Sequence, residues 1–278
     1  VVIRGGSRDA SKVVLRGAGM TEQHVGVAIS VSAPDVTIAD MTIGYVGFHG
    51  IQVRGERGAS RVMIHNVRII DTGQQLIKGS TAGGPLYADD GVVSCSTLEY
   101  SDHAPSDYTN GIDVLGGKGW TVRHNTFRRI RGPAEDGWAA GPAILFWANS
   151  QLTTVEGNLV TDSYRGIAFG LGPGASGRGA RDGERFADHQ GGLVRNNVVV
   201  NANRWADEGI EASAAQDVRI DHNTVHVQGR LPWSISLRFR GTTGIVRDNR
   251  TNRGVIFRDG AQATSLSNVL DFVGPQLP

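Results

Sequence analysis

Asp113 lies in a short alternating run, Gly111-Ile112-Asp113-Val114, in which two apolar residues flank one carboxylate. If Ile112 and Val114 face a core, Asp113 faces away from it. The same reading of the other short apolar runs turns Lys78, Trp147, Glu211 and Arg238 outward, with Ala168 and Gly170 as a gap of small residues between them. An indole, two carboxylates and two cations around a gap suit a sugar ring, because aromatic faces cover its apolar side and charged groups bond its hydroxyls. Two reactions fit such a set. β-Elimination from a uronate needs a base, a cation for the carboxylate and an acid for the leaving oxygen. Lys78, Arg165, Arg238 and Arg240 can supply cations, and His103, Tyr100 or Tyr108 a base or acid. Glycoside hydrolysis instead needs two carboxyl groups, with Asp113 as the first.

These residues must be positioned by short elements, since the chain is punctuated throughout by its 39 glycines and has only 9 prolines. A phrase of an apolar strand followed by Asn recurs at Asn66, Asn125, Asn158, Asn197, Asn223 and Asn249, with Asp40 and Cys95 filling the same slot and Asn268 as a last copy. The successive spacings are 26, 29, 30, 33, 39, 26, 26 and 19 residues. Each phrase follows a short strand-like run such as GIQV (50–53), QLIK (75–78), GIDV (111–114), GIAF (166–169) or GIEA (209–212). No helical stripe of apolar residues survives the Gly and Asn interruptions. Units of this size cannot bury their own apolar faces and must stack, which predicts a solenoid. The Asn column is a corner ladder, in which Asn tolerates left-handed backbone angles and bonds the next Asn. Cys95 is expected there as a small buried filler.

The phrases GIDV…WTVRHNTF, GIAF…GLVRNNVV and GIEAS…DVRIDHNTV resemble the repeats of right-handed parallel β-helix proteins, the pectate-lyase-like superfamily. The resemblance covers about residues 25–270. It implies an all-β, single right-handed parallel β-helix of about 9–10 rungs, with 1–24 as an N-terminal rung or cap and 259–278 as a C-terminal cap. That superfamily includes polysaccharide lyases, glycoside hydrolases, sugar epimerases, phage tailspikes and non-catalytic surface proteins. SISLRFRG (234–241) is similar to the Arg-bearing strand of alginate and chondroitin-B type lyases, although Glu211-Ala212-Ser213 stands where those enzymes carry a Lys.

Strand stacking at ~4.8 Å puts Asp113 and Glu211, three units apart, ~14 Å from each other. Glycosidase carboxyls lie ~5–9.5 Å apart, so in a hydrolase Asp113 pairs with a loop carboxylate from Asp89, Asp90, Asp102, Asp107 or Glu135. Insertions at 79–90, 99–110, 131–142, 170–190 and 201–208 flank the short strands and are expected to wall a groove across rungs three to seven. They bring Tyr108, Trp138 and His189 to its edge as substrate contacts, and Arg165 is a further contact beside the GIAF strand. Asp89 and Asp90 are the candidate ligands for a Ca²⁺ ion.

Net charge is +1 from 28 basic and 27 acidic residues, so no nucleic acid or anionic membrane is expected as partner. The single cysteine excludes an internal disulfide and a Cys-based zinc site. No apolar run approaches the ~18 residues of a membrane span. The function that the resemblance and the outward face imply is that of a secreted or periplasmic carbohydrate-active protein. A polysaccharide lyase acting on a uronate polymer comes first, a glycoside hydrolase second, and a non-catalytic glycan-binding or structural β-helix third. The catalytic residues expected for the lyase are Asp113, Lys78, His103 and Arg238, with Trp147, Glu211, Tyr108, Arg165, His189 and Trp138 binding substrate.

Overall fold

The structure, a computed structural model, describes residues 1–22, 24–133, 140–173, 181 and 187–271. Its strands form three long parallel sheets of ten, ten and nine strands and one short sheet of three. Each strand pairs with its counterpart one turn earlier and one turn later, as Ile112–Leu115 does with Ile77–Ser80 and Pro142–Trp147. The fold is a right-handed parallel β-helix. The described residues form ten coils, and among them the last contributes only Gln262–Leu266 and Val269–Leu270.

A full coil has three main strands rather than two. The Asn-bearing half bends at its corner into separate strands, as in Thr121–Arg123 and Thr126–Arg128. Residues 1–22 supply Val2–Arg4 and Val14–Arg16, which join the first two sheets as their edge strands. The interior is filled by columns of like residues. Ile51, Ile77, Ile112, Ile144, Ile167, Ile210 and Ile235 stack in one column. Ile43, Ile69, Leu98, Phe127, Val160, Val199 and Val225 form another. All of these residues are buried. Parallel strands with an apolar interior account for the period-two pattern, because successive side chains point to opposite faces.

The corner ladder differs from its sequence reading by one residue in the first coils. Asn125, Asn158, Asn197, Asn223, Asn249 and Asn268 form a continuous chain, each amide Nδ2 donating to the next Oδ1 at 2.8–3.0 Å. Ser96 extends it, its N–H donating to Asn125 Oδ1. Asp40, Asn66 and Cys95 occupy the preceding position, which holds His124, Asn196, His222 and Asp248 in later coils, all with positive φ. Cys95 is consequently exposed and not a buried filler. The His-Asn pairs mislead here, since His65-Asn66 copies His124-Asn125 in letters but sits one residue out of step.

Candidate active site on the third sheet

The third sheet carries the short strands, and its register brings Gln52, Lys78, Asp113, Leu145, Ala168, Glu211, Ser236 and Ile256 into one outward column. The predicted direction of Lys78, Asp113 and Glu211 is therefore seen. The predicted open floor is not: Asp113 is 0 % exposed and Glu211 3 %, and Leu145 and Ala168 are buried too. The charged groups lie beneath side chains from neighbouring coils and loops. They form two separate clusters.

The first cluster centres on Asp113. Lys78, one coil earlier, donates from Nζ to Asp113 Oδ2 at 2.6 Å. Tyr108, from the loop that enters this strand, donates its hydroxyl to the same oxygen at 2.9 Å. Trp147, one coil later, donates Nε1–H to Asp113 Oδ1 at 2.7 Å. Both carboxylate oxygens are thus engaged. Lys78 Nζ also donates to the Tyr108 hydroxyl oxygen at 2.7 Å and lies over the Tyr108 ring. Gln75 Nε2 holds the Tyr108 carbonyl at 3.0 Å, fixing the loop to the coil below. Burial and the Asp113 charge raise the Tyr108 phenol above its ordinary value, so it keeps its proton. Tyr108 is also the accessible member, 43 % exposed.

His49 belongs to the same neighbourhood and was not marked by the sequence. It opens the strand His49–Arg54, one coil before Lys78. Burial and then the Lys78 charge depress it to about 4, against an opposing effect of Asp113. It is neutral at neutral pH. No local pattern signalled it, because the HGIQV run shows only its alternation.

The second cluster spans the coils two to five further on, from Arg165 to Arg258. Arg165 Nη1 pairs with Glu211 Oε2 at 3.0 Å, and its Nε donates to Asp207 Oδ2 at 2.8 Å. Ser213 Oγ donates to Glu211 Oε1 at 2.7 Å. Glu208, also missed in the sequence, is 1 % exposed and accepts from Trp233 Nε1 at 3.0 Å, from Arg258 Nη2 at 2.7 Å and from Ser236 Oγ. Its carboxyl is raised above the ordinary range by burial and then by Glu211. Arg238 lies 3.7 Å from Glu211 and 3.1 Å from Asp259. Arg238 follows Asp113 by four coils, ~19 Å, so it does not share a site with Lys78 as expected.

Other expectations separate further. His189 is inside the solenoid, stacked on Phe169 at 4.1 Å with Nε2 3.0 Å from Thr153 Oγ1, and burial depresses it to about 3. It is a neutral packing residue and not a substrate contact. Tyr100 is also interior, its hydroxyl bonded to Thr72 and Gln74. His103 pairs with Asp102 at 2.9 Å and does not join the Asp113 cluster. Asp89 pairs with Arg181 and accepts Lys118 N–H at 2.9 Å, while Asp90 turns a left-handed corner at φ 55°. Among the described residues no group of three or more His, Cys, Asp or Glu is placed to hold a metal ion, at Asp89 and Asp90 or elsewhere. Trp138 and Glu135 lie outside the described residues.

No protein-family model and no curated protein matches the sequence. Solved structures do. A glycoside hydrolase superposes with a TM-score of 0.62 at 12 % identity, over 86 % of this chain and 49 % of that one. An alginate lyase from Paenibacillus sp. str. FPU-7 gives 0.61 at 15 %, over 96 % and 89 %. A mutant tailspike protein of E. coli bacteriophage HK620, in complex with a pentasaccharide, gives 0.55 at 13 %, over 84 % and 43 %. The chain shares their fold. It spans about half the length of the glycoside hydrolase and less of the tailspike.

Proposed function

We propose that this protein is a carbohydrate-active enzyme that cleaves a uronate-containing polysaccharide by β-elimination, with Lys78, Tyr108 and His49 as its working groups. The observation that carries this reading is the saturation of Asp113. Its two oxygens already accept three hydrogen bonds and it is closed from solvent. Such a carboxylate is poorly placed to attack a sugar or take a proton. It suits a positioning role that holds an ammonium and a phenol side by side. Tyr108, 43 % exposed, is then the group that meets substrate, with the buried Lys78 charge directly behind it. Similarity to an alginate lyase over most of both chains supports the reaction class.

In this mechanism the uronate carboxylate lies over the Tyr108 hydroxyl, and the fixed charge of Lys78 behind it stabilises the negative charge that develops as the adjacent carbon loses its proton. His49, held neutral, accepts that proton. The C–O bond to the leaving sugar breaks as Tyr108 passes its proton to the glycosidic oxygen, and a C=C bond forms in the ring. Transfer of the proton from His49 to solvent and reprotonation of Tyr108 restore the site. A polymer substrate of this kind places the protein outside the cell or in a periplasm.

Hydrolysis is the second reading, and Glu208 favours it. A carboxyl raised by burial and by a neighbouring carboxylate is the usual form of a general acid. Glu208 and Glu211 are both enclosed by Arg165, Arg258, Ser213 and Ser236, however, which suits a structural ion network equally well. A panel of alginate, pectate and glycosaminoglycans separates the readings. Unsaturated uronate absorbance marks elimination, and new reducing ends without it mark hydrolysis. Binding with neither signal marks a glycan-binding module.

A further inference from the structure

A small pocket of about 120 Å³ opens beside the second cluster, lined by Tyr164, Trp205, Ala206, Asp207, Arg230 and Leu231. Two aromatic rings, one aliphatic side chain and a pair of opposite charges converge on it. Its walls come from three successive coils, with Arg230 and Leu231 in the loop before Ile235–Arg238. Tyr164 immediately precedes the strand Arg165–Phe169, and Trp205 lies in the loop before Ile210–Ser213. Two of those walls are tied together, since Asp207 N–H donates to the Tyr164 carbonyl at 2.7 Å, and the Trp205 loop closes on itself through Ala206 N–H to the Asn203 carbonyl at 3.0 Å. Asp207 is anchored from behind by Arg165. Trp205 and Tyr164 remain half-buried, with part of their surface open. A preformed site with aromatic walls and a few fixed polar groups is what a small ligand with one apolar face and several hydroxyls requires.

We infer that this pocket is a sugar-binding subsite that seats a pyranose ring of the substrate against Tyr164 and Trp205, and that the polysaccharide runs along the axis of the solenoid. The inference rests on the reading of Lys78 and Tyr108 as the reactive centre. Tyr108 enters the third sheet on the fourth coil and Tyr164 on the sixth, both at the N-terminal ends of parallel strands. The two sites therefore lie on one edge of the sheet, two coils or ~10 Å apart. A chain that spans both points contacts the phenol where the bond is cut and the aromatic pocket beyond it. A disaccharide held at Tyr108 does not reach the pocket.

The test uses the full chain and oligosaccharides of defined length from alginate, pectate and chondroitin. Tryptophan fluorescence is titrated with each tetrasaccharide in a Lys78→Ala background, where no cleavage interferes. Trp205→Ala and the pocket-filling Leu231→Trp are compared with that parent, all with thermal transitions checked. The expected result is loss of tetrasaccharide affinity by ~10-fold or more in both variants, as removal of one stacked ring does. Equal tetrasaccharide affinity in parent, Trp205→Ala and Leu231→Trp overturns the subsite. Failure of the elimination reading looks different: no unsaturated product from any polymer, with Trp205-dependent binding intact.

Discussion

Lys78 and Asp113 stand side by side on neighbouring coils, Nζ to Oδ2 at 2.6 Å, at facing positions of the same parallel ladder. The ladder alone brings them together, although 35 residues separate them in the chain. Asp113 is closed from solvent, so its charge depends on Lys78, Tyr108 and Trp147 for compensation. Replacing it therefore affects both stability and turnover. Asp113→Ala leaves Lys78 uncompensated in a buried site, which typically costs ~3–5 kcal/mol. The denaturation midpoint falls accordingly, and turnover of the cleaved polymer falls at least ~100-fold with it. Tyr108→Phe removes only the proton donor. It lowers turnover by ~100-fold or more while shifting the midpoint far less. Equal stability losses in the two variants would contradict the assignment of Asp113 as the group that holds the others.

His49 gives a pH signature. As a base it works only when neutral, and its depressed value of about 4 keeps it so through the neutral range. Turnover is expected to hold from neutral pH down to about 5 and to fall as pH drops through about 4. His49→Ala removes ~10²–10⁴-fold of the rate. A profile measured on short assays, before acid unfolding sets in, checks this. A rate that already falls near 6.5 points to an ordinary exposed histidine.

His189 predicts a pH-dependent stability with a definite sign. In the folded chain burial lowers it to about 3, whereas in the unfolded chain it titrates near its ordinary 6.5. Between those values the unfolded state binds the extra proton, so stability drops as pH falls from about 6.5 toward about 3. Above 6.5 the group contributes no slope. His189→Phe keeps the stack on Phe169 and removes the titrating group. Thermal transitions of this variant should decline less steeply than wild type over that window. Parallel curves for the two proteins would show that His189 is not the buried neutral group described.

Much of the fold was legible because a stacked coil repeats its physical demands. An isoleucine column, a corner that needs positive φ and an inward Asn each leave a residue type at a recurring place. The offset at Asp40, Asn66 and Cys95 arose because two adjacent corner positions accept similar residues, one for its backbone angle and one for its side-chain bonds. At the site, alternation correctly turned Lys78, Asp113 and Glu211 away from the core. It could not show that Tyr108 and Trp147 close over Asp113, since alternation is blind to what loops lay on top. Glu208 and His49 were missed for a related reason. Both lie just outside the alternating core of a strand, where only the register with the next coil reveals their neighbours.

The ladder itself can be probed at Asn158. Its Oδ1 accepts from the backbone and side chain of Asn125, and its Nδ2 donates to Val122 and to Asn197. Asn158→Ala orphans several buried groups at once, each costing ~1–3 kcal/mol. A loss of at least ~3 kcal/mol by denaturant unfolding is expected, with elimination activity per folded molecule unchanged. A loss under ~1 kcal/mol would mean that water replaces the missing amide without penalty.

The most direct measurement of the central proposal is ultraviolet absorbance during incubation with alginate, pectate and glycosaminoglycans, comparing wild type with Lys78→Ala and Glu208→Gln. The account predicts unsaturated uronate product from at least one polymer with the wild type and with Glu208→Gln, and none with Lys78→Ala. Reducing ends released without that absorbance, and abolished by Glu208→Gln but not by Lys78→Ala, would contradict it.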